Sequence, residues 1–196
     1  MNWPRIVFIA LICLGAWNWW GGRELARPPG VLASDLPVQS SPGQARRFQR
    51  NGYELTALAT FEISARVLGA EHYRTDREAQ LAPVDLALGW GRMSDSEVLK
   101  HISISQSGRF YFWRTDNFPI PRQEIETFSA NMHMIPADER IEAALKAVRP
   151  GQLITVRGYL VEAGAVDGWK WRSSLTRTDT GAGACELIWV ESLSTS

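Results

Sequence analysis

Covalent chemistry in this chain would have to start from Cys185, because the other cysteine, Cys13, lies inside an uncharged apolar run near the N-terminus. A thiol becomes a useful nucleophile when a base takes its proton and a third group orients the base. His133 or His101, with an Asp or Asn behind it, could fill those places, and Cys185 with His133 is the sharpest enzyme hypothesis that the residues permit. The local pattern pulls the other way. Cys185, Leu187 and Trp189 alternate as one face of a strand, where a cysteine behaves as a small buried hydrophobe.

Other chemistries find less support. His72, His101 and His133 are scattered without H-x-H, H-x-x-x-H or C-x-x-C spacing, so neither a metal site nor a cofactor is expected. Ser173 and Ser174 lack the G-x-S-x-G turn that presents a serine nucleophile. The small-residue stretch Thr178 to Ala184 has no P-loop lysine and no helix pattern after it.

A second candidate is a surface. If Ile154, Val156 and Leu160 point into a core from one strand and Trp169, Trp171 and Leu175 from the next, their outward neighbours include Arg157, Tyr159, Lys170 and Arg172. Those four would form a basic, aromatic patch on one hairpin face, suited to a polyanion. The chain as a whole offers no such field, since 21 basic and 21 acidic side chains cancel.

The elements that must position these groups follow from periodicity. Tyr53 to Val67 alternates apolar and polar as a long strand, and Val84, Leu86 and Leu88 repeat that pattern around Asp85. Ser94 and Glu97 have capping-box spacing for a short helix. Ile102 and Ile104, the turn Gln106-Ser107-Gly108 and the aromatic run Arg109 to Arg114 read as a hairpin, and Glu124 to Met134 as a further strand. Asp138 caps a helix with Ile141, Ala144, Leu145 and Val148 on one face, stopped by Pro150-Gly151. Three strands follow: Gln152 to Glu162, Trp169 to Arg177 and Cys185 to Glu191.

Residues 53–193 are thus expected to form an α+β, mostly antiparallel domain, its order compatible with an open barrel of the oligonucleotide/oligosaccharide-binding (OB) type. Ahead of it, residues 23–52 are rich in Pro, Gly and Ser and read as a flexible tether. Residues 1–22 carry the apolar run from Ile6 to Trp20, with Ile6, Phe8 and Leu11 in its body and Trp17, Trp19 and Trp20 at its end, which reads as an uncleaved transmembrane anchor. On that basis the chain is expected to be a single-pass membrane protein with an extracytoplasmic domain, an accessory or interaction module that meets the bilayer, a protein partner and a polyanion. The alternatives are a membrane-tethered hydrolase or thiol enzyme using Cys185 and His133, and a polyanion-binding OB-like module.

Overall fold

Tyr53–His72, twenty residues long, is the strand on which the fold is built. Its apolar residues alternate so regularly that Tyr53, Leu55, Ala57, Ala59, Phe61, Ile63 and Ala65 are all buried between more accessible neighbours. A computed structural model of the protein describes residues 3, 5–9, 11, 12, 23–176 and 185–196. In it the strands are β1 (Val38–Ser40), β2 (Arg47–Arg50), β3 (Tyr53–His72), β4 (Val84–Gly89), β5 (Ser103–Ser107), β6 (Phe110–Arg114), β7 (Ser129–Pro136), β8 (Leu153–Gly164), β9 (Lys170–Arg172) and β10 (Glu186–Thr195). Three short helices, α1 (Ser96–Leu99), α2 (Arg122–Thr127) and α3 (Glu139–Lys146), lie between them.

Five of these strands close on themselves. β3 pairs with β4, β4 with β7, β7 with β10, β10 with β8, and β8 returns to β3. Every pairing in this ring is antiparallel except β7 with β10. One strand can serve two neighbours because it is long and bent: β3 meets β8 from Glu54 to Arg66 and β4 from Arg66 to His72, with register shifts after Ala57 and Val67. Such bulges bend a strand and sharpen its twist, which is how a sheet turns a barrel corner.

The two faces of the ring carry separate cores. Phe61, Ile63, Leu86, Leu88, Met132, Met134, Val156, Leu160, Ile188 and Val190 fill the interior, and Ile141, Leu145 and Val148 from α3 pack into the same cluster. Leu55, Leu81, Ile135, Val161, Ala163, Leu187 and Trp189 form a second cluster on the outer face. α3 starts where the Asp138 side chain accepts a 2.7 Å hydrogen bond from the Ile141 N–H. A third cluster, Met93, Val98, Ile102, Ile120 and Ile125, seats the β5–β6 hairpin and α2.

Closure of the ring leaves no room for a side chain at Gly158. A Cβ on Gly158 of β8 would stand 1.8 Å from the backbone oxygen of Trp189, beside the bulge of β10. Gly158→Ala must therefore part β8 from β10, and we expect it to cost at least about 3 kcal/mol, the upper end of the overpacking range. Chemical denaturation checks this; an unchanged midpoint would mean that the two strands are not held so closely.

Several expectations are corrected. No helix among the described residues is long and apolar enough to cross a membrane. Ile6, Phe8 and Leu11 are helical and exposed. Trp17, Trp19 and Trp20 lie outside the described residues. The anchor, and with it the single-pass placement, is not supported.

The segment 23–52, expected as a flexible tether, is laid against the barrel. β1 and β2 pair with β3, the Leu25 N–H donates to Pro150 O at 2.9 Å, and the Gly91 N–H to Ala33 O at 2.7 Å. Backbone hydrogen bonds hold it, and these leave no hydrophobic period to read. The expected strand from Glu124 begins only at Ser129, because residues 122–127 form α2, steadied by the Arg122–Glu126 ion pair one turn apart at 2.8 Å. Asp95, rather than Ser94, caps α1, accepting from the Glu97 N–H at 2.9 Å. The Ser94 hydroxyl instead accepts from the Leu32 and Ala33 amides.

Candidate functional site

Strand register brings three reactive groups into one row. Asp85 of β4 stands opposite His133 of β7, which stands opposite Leu187 of β10. Cys185 lies two residues before Leu187, so alternation returns it to the same face as His133. Its position is pinned from the other side: the Ser174 N–H donates to Cys185 O at 3.1 Å, and the Leu187 N–H to the Ser173 hydroxyl at 3.0 Å.

Within the row, His133 Nδ1 is 2.9 Å from Asp85 Oδ2. The N–H does not point along that line, so the contact is ionic in character rather than a well-aligned hydrogen bond. The Cys185 thiol is the imidazole's second polar neighbour. Burial acts against a charged imidazole here, but the close polar contacts with Asp85 and Cys185 outweigh it, and His133 is pushed up to about 9. At neutral pH the site therefore holds an imidazolium between the side chains of Asp85 and Cys185. Trp171 of β9 covers the ring, the two aromatic centroids being 4.7 Å apart.

The carboxylate is itself held. Asp85 is fully buried, and Arg109 Nη1 donates to its Oδ1 at 2.9 Å. Arg109 reaches it from the turn between β5 and β6, where Gly108 and Arg109 both have positive φ, 57° and 72°. Two consecutive left-handed residues make the tight hairpin turn that matches strand twist, at some cost for the non-glycine member. Fixed there, the guanidinium also grips Asp76 through two bonds, 3.0 and 2.7 Å, and lies 3.7 Å over the Tyr73 ring. The hydrogen bonds from Arg109 hold the Asp76 carboxyl below its usual range.

Cys185 opens onto a cleft of about 620 Å³, within the range of small-ligand sites. Its far wall is β6 and the loop after it, with Phe110, Phe112, Trp113 and Phe118 among the described lining residues. Compared with protein families, with curated proteins and with solved structures, the chain matches none. Function has to be argued from this geometry alone. No group of three or more His, Cys, Asp or Glu among the described residues could hold a metal ion.

The four patch residues are not brought together. Along β8, Val161 and Ala163 face the outer cluster while Ile154, Val156 and Leu160 face the interior, which puts Arg157 and Tyr159 on the outer side. Lys170 and Arg172 pair with Gly164 and Glu162, the other parity, and so lie on the opposite face. Their charge is also matched locally: Arg157 meets Glu62 at 2.8 Å and Arg172 meets Glu162 at 2.6 Å. The Tyr159 hydroxyl accepts a hydrogen bond from Arg46.

Cys185 and His133, by contrast, are joined by groups that sequence reasoning passed over. Asp85 left a signal, a lone acid inside the apolar run Val84 to Leu88. Arg109 left none, because its part depends on a turn that aims it across the sheet.

Proposed function

We propose that this protein is an enzyme of the nucleophilic-thiol class, in which Cys185 attacks an activated carbonyl, His133 manages the proton and Asp85 holds the imidazole. The single observation that carries the reading is the Asp85–His133–Cys185 row: a buried carboxylate 2.9 Å from one ring nitrogen and a half-buried thiol, open to a cleft, as the ring's other partner. A cationic neighbour is what a thiolate nucleophile requires, and a carboxylate behind the histidine fixes its tautomer and orientation. Arg109 acts through Asp85 as a positioning residue. It keeps a fully buried carboxylate compensated and in place.

The reaction supported is acyl transfer or hydrolysis. With its proton already held by His133, the Cys185 thiolate sulfur forms a bond to the carbonyl carbon, the bond to the leaving group breaks, and that group takes the proton from the His133 imidazolium, leaving the imidazole neutral. Water then gives a proton to His133 and its oxygen adds to the acyl carbon as the carbon–sulfur bond breaks, releasing the acid and restoring the thiolate beside the imidazolium.

The test is a covalent intermediate. Incubated with an activated ester and quenched in acid, the protein is expected to gain one acyl mass on Cys185, and Cys185→Ala to gain none. His133→Ala should acylate at least about a hundredfold more slowly, the usual scale for a lost proton-transfer group. Absence of the adduct, together with Cys185 alkylated by iodoacetamide no faster than free cysteine, would leave the row a purely structural ion network.

A further inference from the structure

Resting on that reading, we infer that the group Cys185 accepts is an uncharged acyl group with an extended apolar tail, and that the aromatic wall of β6 is the site that takes the tail. Three phenylalanines of this wall stand in solvent: Phe110 is 44% exposed, Phe112 52% and Phe118 55%. They do not stand singly. Phe110 and Phe112 have centroids 6.4 Å apart, and Phe118 meets Trp113 edge-on at 6.1 Å. Clustered exposed rings beside a reactive group mark a binding surface in a way that a scattered apolar residue does not.

The polar equipment of the cleft is already engaged with the protein. The Ser129 hydroxyl is shared between Tyr111 and the Ile125 carbonyl. Asn131 accepts from Gln106 and donates to the Arg109 carbonyl. The charged groups at the rim are matched too, Arg122 with Glu126 at 2.8 Å and Arg114 with Asp116 at 3.6 Å. Among these residues a polar substrate finds no free hydrogen-bond partner inside the cleft, and the rim charges are exposed pairs that already neutralise one another in solvent. What remains unspent among the described lining residues is aromatic surface, in the same cleft as the thiol, so selectivity there comes from apolar contact, which grows with the length of the tail.

Labelling by N-alkylmaleimides tests this without any turnover, because the thiolate adds across the reagent's double bond and the alkyl group reports the wall. The full chain is treated with the methyl, butyl and octyl reagents, and each rate on Cys185 is divided by that of glutathione. We expect saturable labelling, with efficiency rising at least tenfold from methyl to octyl. In Phe112→Ser and Phe118→Ser, whose side chains are largely exposed, the octyl-to-methyl ratio measured within each variant should fall at least fivefold. In Val166→Ser, outside the cleft, it should hold. A flat series with a fast methyl reagent overturns the apolar-tail assignment and leaves the thiol enzyme standing, whereas a methyl rate no greater than glutathione's removes the enzyme reading first. A length preference that survives both phenylalanine substitutions would move the tail off this wall. A maleimide carried on a short polar peptide that outpaces the octyl reagent would replace the acyl group with a peptide.

Discussion

Replacing Asp85 with alanine is expected to cost about 3 to 5 kcal/mol of unfolding free energy, the penalty for removing one member of a buried ionic group. Asp85 has no exposed surface, and both cations that face it are nearly enclosed: the His133 side chain is 4% accessible and that of Arg109 13%. Neither can turn to water. Relief comes in two ways, which is why the lower half of the range is the better expectation. His133 can shed its proton once the carboxylate is gone, and Arg109 keeps its paired bonds to Asp76. The measurement is denaturant unfolding with the slope unchanged, and Asp85→Asn beside it separates lost charge from lost volume. A double-mutant cycle with His133→Gln should show coupling above about 1 kcal/mol. Loss of less than about 1 kcal/mol in Asp85→Ala would show that water reaches the row.

Much of the scaffold was legible, because burial on a strand writes itself as a period of two. Tyr53 to Val67 and Val84 to Leu88 carried that mark and the helix from Asp138 its own 3.6-residue period, and β3, β4 and α3 stand there. What misled were stretches whose order comes from partners rather than from their own pattern. The apolar residues Ile6, Phe8 and Leu11 suggested a bilayer by composition alone, whereas no helix among the described residues is long and apolar enough to cross one. Residues 23–52 were featureless as a sequence, yet their amides pair with strand edges. Arg27 reaches the Gly151 carbonyl at 2.9 Å, a contact no local window could reveal.

The site was half legible for the same reason. Cys185 and His133 could be named from residue type, but the strand alternation that made Cys185 look like core is also what places it on the histidine's face. Alternation tells which residues share a face and is silent on which strands are neighbours. The parallel pairing of β7 with β10, across a helix and two strands of chain, decides that. The patch of Arg157, Tyr159, Lys170 and Arg172 failed on register, since β9 meets β8 at Glu162 and Gly164 and thereby puts its basic residues on the other side.

His133 links the stability of the fold to the chemistry of the row, and both should respond to pH around the same value. Its pKa is raised from an ordinary 6.5 to about 9 in the folded protein. A histidine raised on folding contributes stability that is complete below the unfolded pKa, near 6.5, and that disappears as pH rises through the folded one. A shift of this size is worth on the order of 3 kcal/mol. The parent should therefore lose about that much between pH 6.5 and 9.5 relative to His133→Gln, which has no such group to titrate. Denaturation midpoints of the two proteins across that window provide the measurement, and parallel curves would mean that the imidazole is not charged in the fold. Turnover should follow the same proton by a different route. While the imidazolium persists it can protonate the leaving group, so kcat/KM for an ester with a poor leaving group should fall above about pH 9 in the parent. Alkylation of Cys185, which needs the thiolate and no proton donor, should show no such falling limb. An alkylation rate that declines together with turnover would mean that His133 acts on the thiol alone and takes no part in expelling the leaving group.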